Sequence, residues 1–318
     1  MDVALGRSRM ASVLRSGFVR LLLAEFLGTF VFVSVTVGAL AQVILSETSR
    51  LTNDALLSES FDPRMVVFLA EGLAFCLGLY VARGVSGGHL NPVISLALAV
   101  RGTLRWSHML AAWTGQYLGA FLGMTAVYSI YHNAADDFIS QDINRREGVA
   151  SIFASHPQEN SHWFLLFINV LLNSTLFSLL YFGLNDKRSD ARRADHFPVA
   201  LGLAITAIGL STGFTCGTAI NPAKSFSGSL FSAAARWDFD LVPGVTLLWF
   251  WIPVVTPHLG AVLGLVIYQA MIGNHWPPAQ KRQTERRTSG ALEGRILVRQ
   301  NQVLQQFTET TEDVKVLS

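Results

Sequence analysis

The chain has 318 residues, 51% of them hydrophobic and only 14% charged, with 24 basic against 22 acidic residues and a formal net charge of +2. Soluble domains carry roughly 25% charged residues, so this balance excludes an ordinary water-soluble globule, and the small net charge offers no nucleic-acid surface. The two cysteines and eight histidines are scattered without disulfide or metal-ligand spacing, so neither a metal nor a cofactor is expected.

Residues 1–17 carry Arg7, Arg9 and Arg15 and read as a polar N-terminal segment, followed by an apolar run too long for the core of a cleavable signal. That run, Phe18–Leu45, is the first of six predicted spans. The others are Met65–Ala82, His108–Tyr131, Trp163–Leu184, Phe197–Ser211 (extended to about Phe214) and Leu247–Ile272. Such blocks, with few internal charges, define an all-α polytopic membrane protein. Between the second and third spans lies SGGHLNPVISLAL, Ser86 to Leu98. Its apolar run from Asn91 would be only ~15 Å long as a helix, half of what a bilayer core requires. An acidic segment with Asp136, Asp137, Asp142 and Glu147 follows the third span. Asn173 stands in the one glycosylation sequon, but inside the fourth span. Trp106, Trp163, Trp249 and Trp276 lie near span ends, where indoles anchor at the lipid interface. Residues 277–318 form a polar tail in which GRILVRQNQVLQQF is either a short amphipathic helix on the membrane or disordered. Arg286-Arg287-Thr288-Ser289 has the pattern of a basic kinase site.

An even number of spans puts both termini on one side. That side receives Arg83, Arg101 and Arg105, Lys187, Arg188, Arg192 and Arg193, and the basic residues of both end segments, which together are most of the 24. It is therefore read as the cytoplasmic side.

The chain also repeats itself. HLNPVISL, His89–Leu96, recurs as AINPAKSF, Ala219–Phe226, and LGAFLG, Leu118–Gly123, recurs as LGAVLG, Leu259–Gly264. The second half has gained residues at about Trp237 to Leu247. Each half (about 18–131 and 162–276) reads span, span, half-helix, span, and an odd number of crossings inverts one half relative to the other. Pro92 and Pro222 suit the first helical position, where no hydrogen bond is lost. Asn91 and Asn221 cap the half-helices, and their side-chain NH2 groups remain available as donors. Two helix N-termini that meet near the midplane bring positive potential to irregular backbone, which is tolerated there only beside protein or water. Such a centre suits a pore that hydrogen-bonds neutral polar solutes and repels cations.

The motifs NPV (Asn91, Pro92, Val93) and NPA (Asn221, Pro222, Ala223), with AEFLGTF in the first span and SGGHLNP before the first half-helix, resemble the aquaporin (major intrinsic protein) family. VGALAQVILS, ASIFASHP, LFSAAARW and WIPVVTPHLGAVLGLVIY lean towards its aquaglyceroporin branch. The resemblance covers about Phe18 to Trp276. It implies a right-handed bundle of six transmembrane helices plus two half-helices, a pore in each subunit of a homotetramer, and a plasma-membrane channel for water, glycerol and urea. Gly115, Gly119, Gly123, Gly260 and Gly264 would let helices approach closely.

Counting from the motifs as the family does, the selectivity constriction falls on Glu71, Gly209, Thr218 and Lys224. Gly209 and Thr218 are small and read as a wider opening. Lys224 stands where the family pattern has Arg, and Ser225 where the glycerol branch has Asp. Lysine keeps the charge without the planar donor fork. Glu71 is an ionisable group inside a span, either facing the pore or salt-bridged on a packing face. Glu25 is read as a structural carboxylate bracing the loop before the first half-helix. His89 is a candidate pH sensor at the cytoplasmic mouth or, alternatively, a neutral ring holding that loop. The leading expectation is a passive channel for water and small uncharged solutes, glycerol first, and not an enzyme. The alternatives are a water-selective or gated aquaporin, a coupled transporter and a non-conducting membrane protein.

Overall fold

The computed structural model describes residues 16–50, 63–142, 145–158, 161–186, 188, 196–235 and 246–277, with side chains to 46 in the first stretch and from 249 in the last. The regular structure among those residues is helical, with no strand. The long helices are α1 (Gly17–Arg50), α2 (Pro63–Ser86), α4 (Trp106–Gln141), α6 (Trp163–Leu184), α7 (Phe197–Thr212) and α9 (Thr246–Met271), and the half-helices are α3 (Pro92–Val100) and α8 (Pro222–Ala234). The described chain divides into two units, Met1–Ala270 and Met271–Ser318. The first holds the bundle. Of the second, the end of α9 and a single 3-10 turn, Gly273–His275, are described. The tail's helix and kinase-site readings lie outside the described residues.

Length and apolarity alone mark α1, α2, α6 and α9 as spans. The other two crossings depart for different reasons. α7 has only 16 residues, and α4 carries Thr114, Gln116 and Thr125 along its length. Two spans also run further than their apolar stretches suggested: α1 continues past Leu45 to Arg50 and α4 past Tyr131 to Gln141. No glycine or proline interrupts YHNAADDFISQ, so nothing in the backbone stops the helix where hydrophobicity ends. Just before the extensions begin, the two helices are joined by Tyr131, whose hydroxyl donates to Gln42 Oε1 at 3.2 Å.

Glycines set the crossings. A Cβ on Gly115 or Gly119 would strike the Leu22 or Phe26 carbonyl of α1, and one on Gly264 the Thr175 carbonyl of α6. Gly72 on α2 and Gly202 on α7 face one another in the same way. Backbones this close gain dispersion contacts that lipid cannot replace.

A short helix, α5 (Arg146–Phe153), stands where the sequence suggested only an acidic loop. Val149, Ala150, Ile152 and Phe153 are buried, and the Phe153 ring lies 4.8 Å from that of Phe231. The residues after it reach the second half-helix. Gly228 of α8 leaves room for the Phe153 carbonyl, Gln158 N donates to Thr215 O at 2.8 Å, and Trp249 Nε1 donates to Ser155 O at 2.6 Å. Trp249 is thus no lipid anchor: it is 8% exposed and pins this loop, whereas Trp106 and Trp163 remain exposed.

His156 lies in that loop, its Nδ1 at 2.8 Å from Ala154 O. Burial lowers the ring below the ordinary histidine range, against the opposing pull of the Ala154 carbonyl and the Glu147 carboxylate. The docked loop therefore favours the neutral ring, and its contribution is complete above about pH 6.5 and lost as pH falls through the folded value. Thermal stability in detergent should fall between about pH 7 and 5, and His156→Gln should flatten that part of the profile. Superimposable profiles for both proteins would remove His156 from the account.

Candidate functional site

The half-helices meet end to end through their caps. Asn91 Oδ1 accepts from Val93 N at 3.1 Å. Asn221 Oδ1 accepts from Ala223 N at 3.1 Å and Lys224 N at 3.3 Å. The amide nitrogens then cross: Asn91 Nδ2 donates to Ile220 O at 3.0 Å, and Asn221 Nδ2 to Leu90 O at 2.9 Å. Each cap satisfies a carbonyl of the other loop. The expectation that the NH2 groups remain available as donors is narrowed: one N–H of each is committed to this clasp, which leaves one. Leu90 (φ 51°) and Ala219 (φ 41°) are left-handed, a conformation that costs a non-glycine residue about 1–3 kcal/mol.

Each loop is braced from behind, by different chemistry. Glu25, fully buried, accepts His89 N at 2.9 Å on Oε1, and Leu90 N and Gln116 Nε2, both at 2.7 Å, on Oε2. Gln116 also donates to Ser95 Oγ at 3.1 Å. Leu90 is therefore held through both its N–H and its C=O. The early part of the loop before α8 is held by neutral groups. Asn169 Nδ2 donates to Thr212 O at 3.0 Å, Asn173 Nδ2 to Asn169 Oδ1 at 2.9 Å, Thr212 Oγ1 to Asn173 Oδ1 at 2.6 Å, and the Cys216 thiol to Asn169 Oδ1 at 3.4 Å. This second brace went unread in the sequence, where two asparagines inside an apolar span were its signal.

Glu71, Thr218 and Lys224 come together. Lys224 Nζ lies 2.7 Å from Glu71 Oε1, and Thr218 Oγ1 donates to Glu71 Oε2 at 2.7 Å. The carboxylate joins α2 to the start of α8 and to the residues just before it, with both oxygens occupied. Gly209 does not leave the gap its size suggested. A Cβ there would meet Phe68 Cδ1 at 2.6 Å and Cγ at 2.7 Å. The aromatic ring of α2, absent from the sequence count, fills that place.

On the opposite, basic side the centre opens into a cavity of about 580 Å³ bordered by His89, Tyr80, Arg83, Tyr181, Asn185 and Leu98, among others. The Arg83 guanidinium lies 4.4 Å over the Phe197 ring. His89 is 4% exposed and its Nδ1 is 3.1 Å from Ser95 Oγ, so one ring edge belongs to the loop's own network. Beyond this cavity, Asp186 accepts from the Arg188 guanidinium and from Tyr268 Oη at 2.6 Å. Arg188 holds its carboxyl well below the usual carboxylate range. Among the described residues, no group of His, Cys, Asp and Glu is arranged to hold a metal ion.

Two half-helices clasped at their N-termini inside a bundle of membrane-length helices define a membrane channel fold. The family model described as major intrinsic protein matches residues 12–268, and the chain belongs to that family of passive multi-pass membrane channels, which are not enzymes. It is similar to Aquaporin-10 of Milnesium tardigradum, 35% identical over 85% of this chain and 67% of that protein. Aquaporin-9 of Homo sapiens is 34% identical over 83% of this chain and 86% of its own length. Aquaporin-10 of Homo sapiens is 33% identical over 88% and 91%. The X-ray structure of the aquaglyceroporin from Plasmodium falciparum superposes with a TM-score of 0.68 at 25% identity, covering 80% of this chain and 97% of that one.

Replacing Asn91 or Asn221 by leucine removes a cap and one strand of the clasp and leaves a buried carbonyl unpaired, at about 1–3 kcal/mol each. Osmotic water flux per channel at the cell surface should fall in both variants. Unchanged flux in both would mean that the path of water does not pass the clasp.

Proposed function

We propose that the protein is a passive channel for water and small uncharged solutes, with glycerol the leading solute and urea a further one. The observation that carries this reading is the Asn91–Asn221 clasp. It keeps one amide N–H of each asparagine for a passing hydroxyl, at the N-termini of two helices whose dipoles disfavour cations. The names of the similar proteins, aquaporins and an aquaglyceroporin, support the same class. In this reading residues 18–276 are the channel domain, between an N-terminal segment (1–17) and a tail (277–318). The basic side faces the cytoplasm with both termini, the membrane is the plasma membrane, and four copies assemble. Glu71, Thr218 and Lys224 form the polar wall of the outer constriction. Pairing with Glu71 neutralises the lysine, so rejection of cations falls to the helix dipoles. A second reading, a water channel with little glycerol flux, is favoured by the same bridge, because a carboxylate held by two partners takes up width.

Reconstituted vesicles should shrink rapidly in sucrose, and in glycerol should shrink and then re-swell faster than empty ones. Shrinkage without accelerated re-swelling would select the second reading, and the rate of empty vesicles in both gradients would refute a channel. Glu71→Gln and Lys224→Met should each reduce flux or folding, since an unpaired partner costs roughly 3–5 kcal/mol when fully buried and less near water. The double variant should recover part of the loss. Purely additive losses would detach Glu71 from the filter.

A further inference from the structure

We infer that Phe68 is the apolar wall of the outer constriction and sets its width, in the place that the family's count assigns to Gly209. The inference rests on the channel reading above. Three observations converge on it.

Position 209 carries no side chain, and the direction in which a Cβ would project is occupied by the Phe68 ring, at 2.6 Å from Cδ1 and 2.7 Å from Cγ. Four residues on, at the C-cap of α7, a Cβ on Gly213 would strike the far end of the same ring, at Cζ and Cε1. The two glycines therefore form a slot along which the ring lies. Either alanine would force the ring out of it.

Phe68 also precedes Glu71 by three residues on α2, so the two side chains are neighbours on one face of that helix. Glu71 in turn holds Lys224 and Thr218. An aromatic surface thus stands next to the three polar groups. Phe68 is 9% exposed, as befits a ring seated against one helix with a strip left open.

The backbone beneath the ring is fixed independently. Thr206 Oγ1 donates to Phe68 O at 3.2 Å, and one turn nearer the midplane α2 and α7 touch at Gly72 and Gly202. Helices held this closely cannot part to let the ring swing away. The wall then carries carbon along the ring and, next to it, hydroxyl, ammonium and carboxylate. Such a wall suits short polyols, whose C–H groups and hydroxyls lie on opposite faces.

The test compares glycerol with a five-carbon polyol in reconstituted vesicles, with water flux measured in parallel. Phe68→Ala should raise the ratio of five-carbon polyol to glycerol permeability on the order of tenfold, the usual scale for a change of pocket size. Gly209→Ala should shift the ring inward and lower the ratio of glycerol to water permeability. Opposite movements of the two variants are the signature. If Phe68→Ala folds poorly, Phe68→Leu, which keeps apolar volume but not the ring's reach, should move the polyol ratio in the same direction by less. Unchanged ratios in folded Phe68 variants with glycerol flux intact would overturn the inference and leave the channel reading standing. A wild type that passes water but not glycerol would overturn the solute reading instead. In that case Phe68→Ala must switch on glycerol flux if Phe68 is the wall, and its failure to do so would overturn the inference as well.

Discussion

The structure depends on how backbone polar groups are satisfied at the middle of a membrane. A helix that stops at mid-depth exposes N–H groups where no bulk water waits, each costing several kcal/mol if left bare. Here two helices stop, and each supplies part of what the other lacks. Asn91 and Asn221 turn their oxygens inward to cap their own helices and their nitrogens outward to the facing loop. The exchange is reciprocal, so neither half of the chain completes its centre alone. The left-handed Leu90 is tolerable because Glu25 holds its N–H and Asn221 its C=O.

Around this clasp the two halves use unlike chemistry for like tasks. One loop rests on a buried carboxylate, the other on amides, a hydroxyl and a thiol. A carboxylate accepting several N–H bonds is the stronger brace, since charged acceptors make stronger hydrogen bonds. It also sets a negative charge behind the N-terminus of α3, where the helix dipole favours one. Glu71 repeats the arrangement near the start of α8, but there the opposing charge of Lys224 is close enough to bind it.

The broad plan was legible because it follows from composition. Apolar blocks gave the crossings, and the repeated Asn-Pro motif gave the half-helices and their inversion. Helix ends were not legible: α4 runs on through YHNAADDFISQ, since a helix needs a breaker and not merely a polar residue to end it. Position along the chain misled at Trp249, where a span end suggested lipid and the fold supplied the Ser155 carbonyl. Counting from the motifs placed Glu71 beside Lys224 and Thr218, because backbone register there is fixed by the fold. The same count could not reveal Phe68, since what fills the space beside a glycine is decided by a different helix. The Asn169 brace stayed hidden for the related reason that its partners lie 43 and 47 positions away.

The two buried carboxylates impose an order on biosynthesis. Glu25 emerges from the ribosome 91 positions before Gln116, and Glu71 emerges 153 positions before Lys224. Every group that binds either of them lies further along the chain than the span that carries it, from His89 N onward. Each span therefore enters lipid with a bare acidic side chain, at about 2.5–3.5 kcal/mol if it sits ionised at the helix centre. A strongly apolar helix can carry a cost of that size. Glu25 finds its partners in the loop before α3 and on α4, whereas those of Glu71 all lie in the second half. A chain that lacks its second half therefore leaves the Glu71 carboxylate in the second span without Thr218 and Lys224.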